Sequence, residues 1–213
     1  MFRVDLHLHT IFSSDSMIRP KHIVDQLNAH PLVKGVAITD HNTLEGYFQV
    51  RKLANAYEDL VILPGIEVTT DKGDIVILGI EEKPTPPATL NSAVDFAKAM
   101  DGIVVIPHPY RSLGIGELAT NIEAHAIEVL NPTATNKENM QARELAKARN
   151  LPGVAGTDAH STKEMWTVFT EVDAQPTMEG VLSAIRKGFV KAVAAHNSSH
   201  VIKVEGEKNH FRN

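Results

Sequence analysis

The stretch Gly102-Ile103-Val104-Val105-Ile106-Pro107-His108 is a continuous apolar run that ends at a proline and a histidine. A short run of β-branched residues is typical of a strand that is buried on both faces of a sheet. Similar runs recur along the chain and predict strands at residues 2–6, 35–39, 60–67, 74–80, 102–107, 126–130, 153–156, 168–172 and 190–194. Amphipathic stretches between them predict helices at residues 20–28, 44–57, 90–100, 137–149 and 177–187.

Strands that alternate with helices of this length imply parallel βαβ units and therefore an α/β fold. Periodicity alone leaves a barrel and an open sheet as alternatives. Lys72-Gly73, between two β runs, predicts a hairpin turn and a small antiparallel excursion. We expect one domain over residues 1–195, followed by a polar C-terminal tail at residues 196–213.

The composition excludes several classes of protein. The chain has 213 residues, of which 43% are hydrophobic and 22% are charged, as in ordinary globular domains. It has no cysteine, which excludes disulfides, thiolate zinc sites and a cysteine nucleophile. Its apolar runs are far shorter than the roughly 20 residues of a membrane span, and a net charge of -5 argues against broad binding to nucleic acid or anionic membranes. We therefore expect a soluble, cytoplasmic domain with no membrane partner.

Histidines and carboxylates recur where the predicted strands end. The set comprises His7, His9, Asp15, Asp40, His41, Glu67, His108, Asp158 and His160. Because the carboxyl ends of parallel strands converge on one face, we expect these side chains to share a site. Imidazole and carboxylate without thiolate suit Zn²⁺, Mn²⁺ or Fe²⁺. The set exceeds the three or four ligands of one catalytic zinc, and it therefore predicts two or three divalent ions.

Five motifs in this chain resemble, in order, those of the PHP (polymerase and histidinol phosphatase) family. They are Asp5-Leu6-His7-Leu8-His9-Thr10 with Asp15, Ile38-Thr39-Asp40-His41, Gly65-Ile66-Glu67, Pro107-His108-Pro109 and Gly156-Thr157-Asp158-Ala159-His160. The resemblance covers about residues 1–195. It implies a distorted (β/α)₇ barrel, related to the TIM barrel, with a metal cluster at its C-terminal rim. It also implies hydrolysis of phosphate esters such as histidinol phosphate, nucleotides or nucleic-acid ends.

The resemblance further implies which residues hold which ion. His7, His9, Glu67 and Asp158 would hold one ion; Glu67 would bridge to a second ion with His108; Asp15, His41 and His160 would hold a third. Two positions depart from the family pattern. Asn131 stands where many members carry a histidine, and Asp15 stands where some do.

Other residues receive roles around these ligands. A metal-bridged hydroxide is the candidate nucleophile, because the chain has neither a cysteine nor a Ser-His pairing signature. Asp158 and His160 are the candidate catalytic residues for relaying protons. Arg111, three residues after His108, is a candidate for binding a substrate phosphate. The candidates that lie behind the ligands and orient them are Asp5, Asp40 and Asn131.

These observations predict a hydrolase, a metal-dependent phosphoesterase that acts on a small phosphorylated molecule or a nucleotide. A nuclease acting on nucleic-acid ends is one alternative, but it would favour a basic groove with stacking aromatics, whereas this chain is acidic and 5% aromatic. A non-catalytic PHP-like interaction module is the other alternative. Such a module would have lost several ligands, whereas eight of the usual positions are filled here.

Overall fold

The computed structural model describes residues 1–86 and 88–195; the predicted tail, residues 196–213, lies outside them. The strands are β1 Phe2–Leu8, β2 Gly35–Ile38, β3 Val61–Thr70, β4 Gly73–Leu78, β5 Ile103–Ile106, β6 Ala126–Leu130, β7 Gly153–Ala155, β8 Val168–Val172 and β9 Val190–Ala194. The helices are α1 Pro20–Ala29, α2 Glu45–Ala54, α3 Leu90–Ala99, α4 Asn136–Ala148 and α5 Met178–Lys187, with a short 3₁₀ helix at Gly116–Thr120. The predicted elements are all present, and the 3₁₀ helix was not predicted.

The strands form one sheet in the order β7-β6-β5-β4-β3-β2-β1-β8-β9. Strand β4 runs antiparallel to both of its neighbours, and β1, β2, β3, β5, β6 and β7 share one direction. The β3–β4 hairpin turns at Asp71-Lys72, next to the predicted Lys72-Gly73 turn. Because β4 follows β3 directly, no helix separates them, and this hairpin is one distortion of a regular βα barrel.

The sheet curls into a nearly closed barrel because the chain after β7 returns to β1. Leu8 and Ala159 form a parallel bridge. The His9 amide donates to the Ala159 carbonyl at 3.1 Å, and the Asp158 amide donates to the His7 carbonyl at 2.7 Å. This confirms the predicted α/β barrel, and it places Asp158 beside the two histidines of β1.

Two register shifts aim side chains toward the carboxyl ends of the strands. On β1, Asp5 pairs with Val36 and Leu8 pairs with Ile38, so three steps on β1 match two on β2. On β6, Glu128 pairs with Val154 and Leu130 pairs with Ala155, so two steps match one on β7. Such irregularities redirect side chains next to functional sites.

Two strands that carry predicted ligands continue beyond their predicted ends. His7 lies within β1 rather than after it, because the strand continues to Leu8. Glu67 lies three residues before the end of β3, since pairing with β4 extends that strand to Thr70. Both side chains still reach the rim. The neighbouring strand β2 ends at Ile38, and Glu67 forms a bridge with His41 just after that end.

Among the described residues, the buried apolar side chains form three clusters. Residues such as Val4, Leu63 and Ile103 form one cluster with Val181 and Ile185 of α5, so α5 packs against the barrel strands. The α-helices begin and end at standard signals. Thr89 and Thr135 form capping boxes at α3 and α4, and Gly188 ends α5 in the left-handed region at φ 74°, as the Arg186-Lys187-Gly188 sequence predicts.

None of the helices in the described part of the chain is long and apolar enough to cross a membrane.

Candidate metal centre

Four donor atoms lie together at the rim and form what we call the inner position. They are His7 Nε2, His9 Nε2, Glu67 Oε2 and Asp158 Oδ1, on residues that are at most 4% exposed. The two nitrogens are 3.1 Å apart, and the Glu67 oxygen lies 3.2 Å from His7 Nε2 and 3.1 Å from His9 Nε2. The Asp158 oxygen lies 3.5 Å and 3.3 Å from the same two nitrogens.

These spacings fit the coordination of a divalent cation. A tetrahedral ion with ligand distances of about 2.0–2.1 Å separates neighbouring ligands by roughly 3.3–3.4 Å. The spacings of the inner position run from 3.1 to 3.5 Å. Two imidazoles with two carboxylates also suit Zn²⁺, Mn²⁺ or Fe²⁺ better than the all-oxygen sites of Ca²⁺ and Mg²⁺.

The hydrogen bonds behind the imidazoles determine which nitrogen carries the proton. His7 Nδ1 lies 3.2 Å from a carboxylate oxygen of Glu128, which can only accept, so Nδ1 donates. His9 Nδ1 lies 3.0 Å from the Ser13 hydroxyl, whose own hydrogen is donated to Asp40 at 2.8 Å. In its neutral form each imidazole therefore has its free Nε2 lone pair directed at the other across 3.1 Å, and a bound cation would favour these neutral forms by displacing the Nε2 proton.

The charge of the cluster also favours a cation. Burial raises the pKa of Glu67, but the charge of His7 and hydrogen bonds from neighbouring imidazoles hold it well below its usual range. Burial also raises the pKa of Asp158, but the charge of His7 together with the hydrogen bond and charge of His9 holds it well below its usual range. Burial lowers the pKa of His9, whereas Asp158 and Glu67 raise it to about 9. The two ionised carboxylates therefore attract a cation to the buried inner position.

Asp15, His41 and His160 form a second group, the outer position. Asp15 Oδ2 lies 3.5 Å from His41 Nε2 and 3.4 Å from His160 Nε2. His160 Nδ1 donates to the backbone carbonyl of Asp158 at 2.8 Å, which leaves the Nε2 lone pair facing Asp15. The exposed fractions of these side chains are 54%, 23% and 29%, so the outer position faces solvent.

The third group, the His108 position, contains Glu67 Oε1 and His108 Nε2, which are 3.2 Å apart. Glu67 therefore offers one oxygen to the inner position and the other to His108. The His108 Nδ1 is buried and has no hydrogen-bond partner among the described residues. His108 has a φ of 25°, an uncommon value for a residue with a side chain and one often found at functional sites.

Comparisons with known proteins agree with this geometry. A family model described as PHP-associated (PHP_C) matches residues 136–190. The structure is similar to a two-domain protein of Bacteroides vulgatus that contains a predicted PHP-like metal-dependent phosphoesterase. That match has a TM-score of 0.77 and 18% identity, and it covers 91% of this chain and 64% of that one. The chain thus spans less than two thirds of the Bacteroides protein. The family-model match and the fold support a PHP family assignment.

Two further relatives extend the comparison of this PHP chain. An uncharacterized protein of Methanocaldococcus jannaschii is 28% identical over 141 residues, which are 61% of this chain and 81% of that protein. A provisionally assigned metal-dependent phosphoesterase of Bifidobacterium adolescentis matches with a TM-score of 0.58 and 16% identity, covering 74% of this chain and 87% of that one. At these identities the solved structures establish the fold alone.

The PHP site brings together all eight residues that the sequence predicts as ligands, in the three groups described. Their individual roles stay predictions. Asp40 acts through Ser13 on His9 rather than on the adjacent His41 side chain, because its oxygens accept from Thr10 and Ser13. Asp40 thus orders the loop after β1 and orients one imidazole.

Asp5 lies behind the PHP ligands and binds backbone rather than imidazole. Its carboxylate accepts from the His7 amide at 3.2 Å, from the Thr157 amide at 2.9 Å, and from the Thr157 hydroxyl. Burial raises the pKa of Asp5 to about 7 even though these hydrogen bonds lower it. Asp5 therefore holds the two ligand-bearing segments, at His7 and before Asp158, at a fixed separation.

Glu128 is a functional residue that sequence reasoning missed. It is 2% exposed, and its two oxygens accept from His7 Nδ1, from the His108 amide at 2.9 Å and from Asn131 Nδ2 at 2.9 Å. Glu128 Oε2 thus accepts two hydrogen bonds and Oε1 accepts one, so this carboxylate orients His7 and fixes the backbone of His108. The available signal was an acidic residue in the middle of the apolar run Ala126-Ile127-Glu128-Val129-Leu130.

Replacing Glu128 with Gln tests this role. Glutamine has one acceptor oxygen, because the other becomes an NH₂ group that can only donate. It can therefore not accept from both His7 and the His108 amide, and the imidazole of His7 would lose its orientation. We expect about a 10- to 100-fold loss of metal affinity, measured by competition with a chromophoric chelator. Glu171→Gln, which removes a carboxylate that pairs with Arg3 away from the site, is the matched control. Unchanged metal affinity in Glu128→Gln would contradict the assigned role.

Arg111 lies at the rim and faces the PHP ligands. A turn positions it, since the Arg111 amide donates to the His108 carbonyl at 3.0 Å and the Gly114 amide donates to the Arg111 carbonyl at 2.9 Å. A Cβ at Gly114 would collide with the carbonyls of His108 and Pro109, so the tight turn requires glycine. The guanidinium NH1 donates to Asp158 Oδ2, and the side chain is 27% exposed.

Proposed function

We propose that this protein is a metal-dependent phosphoesterase that hydrolyses a phosphate ester of a small molecule or a nucleotide. The observation that carries the proposal is the convergence of four buried donor atoms at the inner position beside a partly exposed arginine. The PHP assignment and the similarity to the Bacteroides vulgatus protein support it.

The gradient of burial indicates the side from which the substrate arrives. The inner position is buried, whereas Asp15, His41, His160 and Arg111 are each between 23% and 54% exposed. A phosphate group that enters from solvent therefore meets the outer position and the Arg111 guanidinium first. The guanidinium has five N–H donors, and those not used on Asp158 can bind phosphoryl oxygens.

Divalent cations bound by these donors would supply Lewis acidity to the phosphoryl oxygens and lower the pKa of water toward neutrality. The protein orients the ligands through Glu128 and Ser13. His160 can move a proton only while the outer position holds no ion, because its Nδ1 donates to the Asp158 carbonyl and its Nε2 faces Asp15. Asp158 is a poor proton carrier, since its Oδ1 lies in the inner position and its Oδ2 already accepts from Arg111 and Asn131, and these hydrogen bonds reduce its basicity.

A small substrate is favoured over nucleic acid by charge. Binding to a nucleic-acid backbone rests on several Lys or Arg contacts to phosphates. This chain has a net charge of -5 and is 5% aromatic, so neither a basic track nor a stacking platform is suggested by its composition.

The proposal is tested by a phosphate-release screen. Purified protein, loaded separately with Mn²⁺, Fe²⁺ or Zn²⁺, is assayed against sugar phosphates, histidinol phosphate, nucleotides and short oligonucleotides with a terminal phosphate. We expect release from at least one small phosphomonoester or nucleotide. Activity confined to oligonucleotides would favour the nuclease alternative, and no release from any substrate with metal bound would favour a non-catalytic module.

Arg111→Ala is expected to raise KM or lower kcat/KM for phosphomonoesters by about 10- to 100-fold, because a hydrogen bond to a charged group contributes about 1.5–3 kcal/mol. Arg111→Lys should restore only part of the loss, since an ammonium keeps the charge but not the two-pronged geometry. The measurement is steady-state kinetics on several phosphomonoesters. Kinetics unchanged in Arg111→Ala would remove Arg111 from substrate binding.

A further inference from the structure

We infer that the Arg111 guanidinium takes the place of a metal ion at the His108 position, so that the chain holds two divalent ions rather than three. This inference rests on the proposed metal-dependent function. It concerns the number of ions, which is measured independently of activity.

The His108 position has fewer ligand atoms than the inner and outer positions. The inner position has four donors and the outer position has three, whereas Glu67 Oε1 and His108 Nε2 form a pair. His7 and Glu128 also lie near His108, but His7 Nδ1 donates to Glu128 Oε1, and Glu128 Oε2 accepts from the His108 amide and from Asn131. A further candidate is Asp158 Oδ2, at 4.0 Å from His108 Nε2. Asn131, at the place where many family members carry a histidine, contributes an amide. Its NH₂ group donates to Glu128 and Asp158, and its Oδ1 accepts from the amide and the hydroxyl of Thr133, so its one ligand atom is already engaged.

Asp158 Oδ2 already accepts as many hydrogen bonds as it has lone pairs. It accepts from Arg111 Nη1 and from Asn131 Nδ2 at 3.3 Å. The Thr133 hydroxyl lies 3.3 Å away but donates its single hydrogen to Asn131 Oδ1 at 2.7 Å. A carboxylate oxygen has two lone pairs, so these two donors leave none free for an ion. The His108 position thus has two available ligands, fewer than the three that a catalytic metal usually takes from the protein.

The charge of the Arg111 guanidinium also disfavours a metal ion at the His108 position. The carboxylates of Glu67, Glu128 and Asp158 are all buried within this cluster, and their charge must be compensated. The guanidinium remains charged at any pH that a protein tolerates, and it is held against Asp158 by the turn from His108 to Gly114. A fixed cation therefore stands beside His108, and it would repel a metal ion placed there.

Counting bound ions tests the inference. Metal-free protein is equilibrated by dialysis with rising concentrations of Mn²⁺, and separately of Zn²⁺, and bound metal is measured by plasma mass spectrometry. We expect the wild-type count to saturate at about two ions per chain. Saturation at one or at three ions would overturn the inference.

Substitutions at Arg111 and Asn131 test whether the guanidinium sets the number of bound ions. Arg111→Met combined with Asn131→His removes the cation, frees Asp158 Oδ2 and adds an imidazole, and we expect this double variant to bind one ion more than the wild type. Arg111→Lys keeps a positive charge and should stay at two. Arg143→Met, on the exposed face of α4, controls for the loss of an arginine. A double variant that folds, as judged by circular dichroism, but gains no ion would contradict the inference. If it does not fold, the wild-type and Arg111→Lys counts still decide.

Phosphate release is measured on the same samples so that the two failures can be told apart. Two bound ions without phosphoesterase activity would leave the inference standing and reject the proposed function. Activity with three bound ions would do the reverse.

Discussion

Protein stripped of divalent ions, and shown to be metal-free, is expected to release no phosphate from any substrate that the loaded protein hydrolyses. The physical reason is that, without a bound cation, the inner position has no Lewis acid that could polarise the phosphoryl oxygens or lower the pKa of water. Activity should return best with Mn²⁺, Fe²⁺ or Zn²⁺, because the ligands mix imidazole and carboxylate. Full activity of confirmed metal-free protein would refute the metal-dependent mechanism.

The same removal has a second readout in stability. A ligand present at about 1,000 times its Kd stabilises the folded state by about 4 kcal/mol. For a domain of this size each kcal/mol corresponds to roughly 2–4 °C in Tm. Thermal unfolding of metal-free and loaded protein should therefore differ by roughly 10 °C. This readout needs no substrate, and Tm values that coincide at saturating metal would argue against the site.

Glu67→Gln is expected to produce the largest loss among single substitutions. Glu67 Oε2 lies within 3.2 Å of His7 and His9, and Oε1 lies 3.2 Å from His108, so one carboxylate connects two positions. Glutamine keeps the shape but removes the charge. Removing one group that stabilises the charge of a transition state lowers kcat by about 10²–10³-fold, and we expect a loss of about that size in turnover.

The measurement for Glu67→Gln is kcat at saturating metal and substrate, together with circular dichroism to establish that the fold survives. Glu171→Gln again serves as control, because Glu171 is buried but pairs with Arg3 on another part of the sheet. The control should keep turnover within a few-fold. A Glu67→Gln variant with turnover near that of the wild type would show that Glu67 has no role in the chemistry.

Local patterns predicted most of the fold because each signal needs only neighbouring residues. Apolar runs, helix caps and the Lys72-Gly73 turn depend on backbone and side-chain chemistry within a few positions. The ends of β1 and β3 were misplaced because they depend on pairing with other strands, and a local sequence pattern does not contain that information. The 3₁₀ helix at Gly116–Thr120 shows no strong apolar periodicity and was missed for that reason.

The ligand residues were identifiable from the sequence because histidines and carboxylates at successive strand ends form a pattern that is independent of exact geometry. Glu128 was not identified, since a lone glutamate in a strand has the same local appearance whether it faces solvent or the back of an imidazole. Its role depends on a register shift between β6 and β7 that brings Glu128 and Asn131 to the same site.

The sequence by itself determined the α/β order of elements and the set of residues that offer nitrogen and oxygen donors. Tertiary structure alone decided which oxygen of each carboxylate faces which group, which imidazole nitrogen carries the proton, and that Arg111 binds the second oxygen of Asp158. The reason is physical. A residue's identity fixes its charge and its donor atoms, whereas hydrogen bonds and coordination depend on distances of a few tenths of an ångström, and these arise only when strands far apart in the chain are packed together.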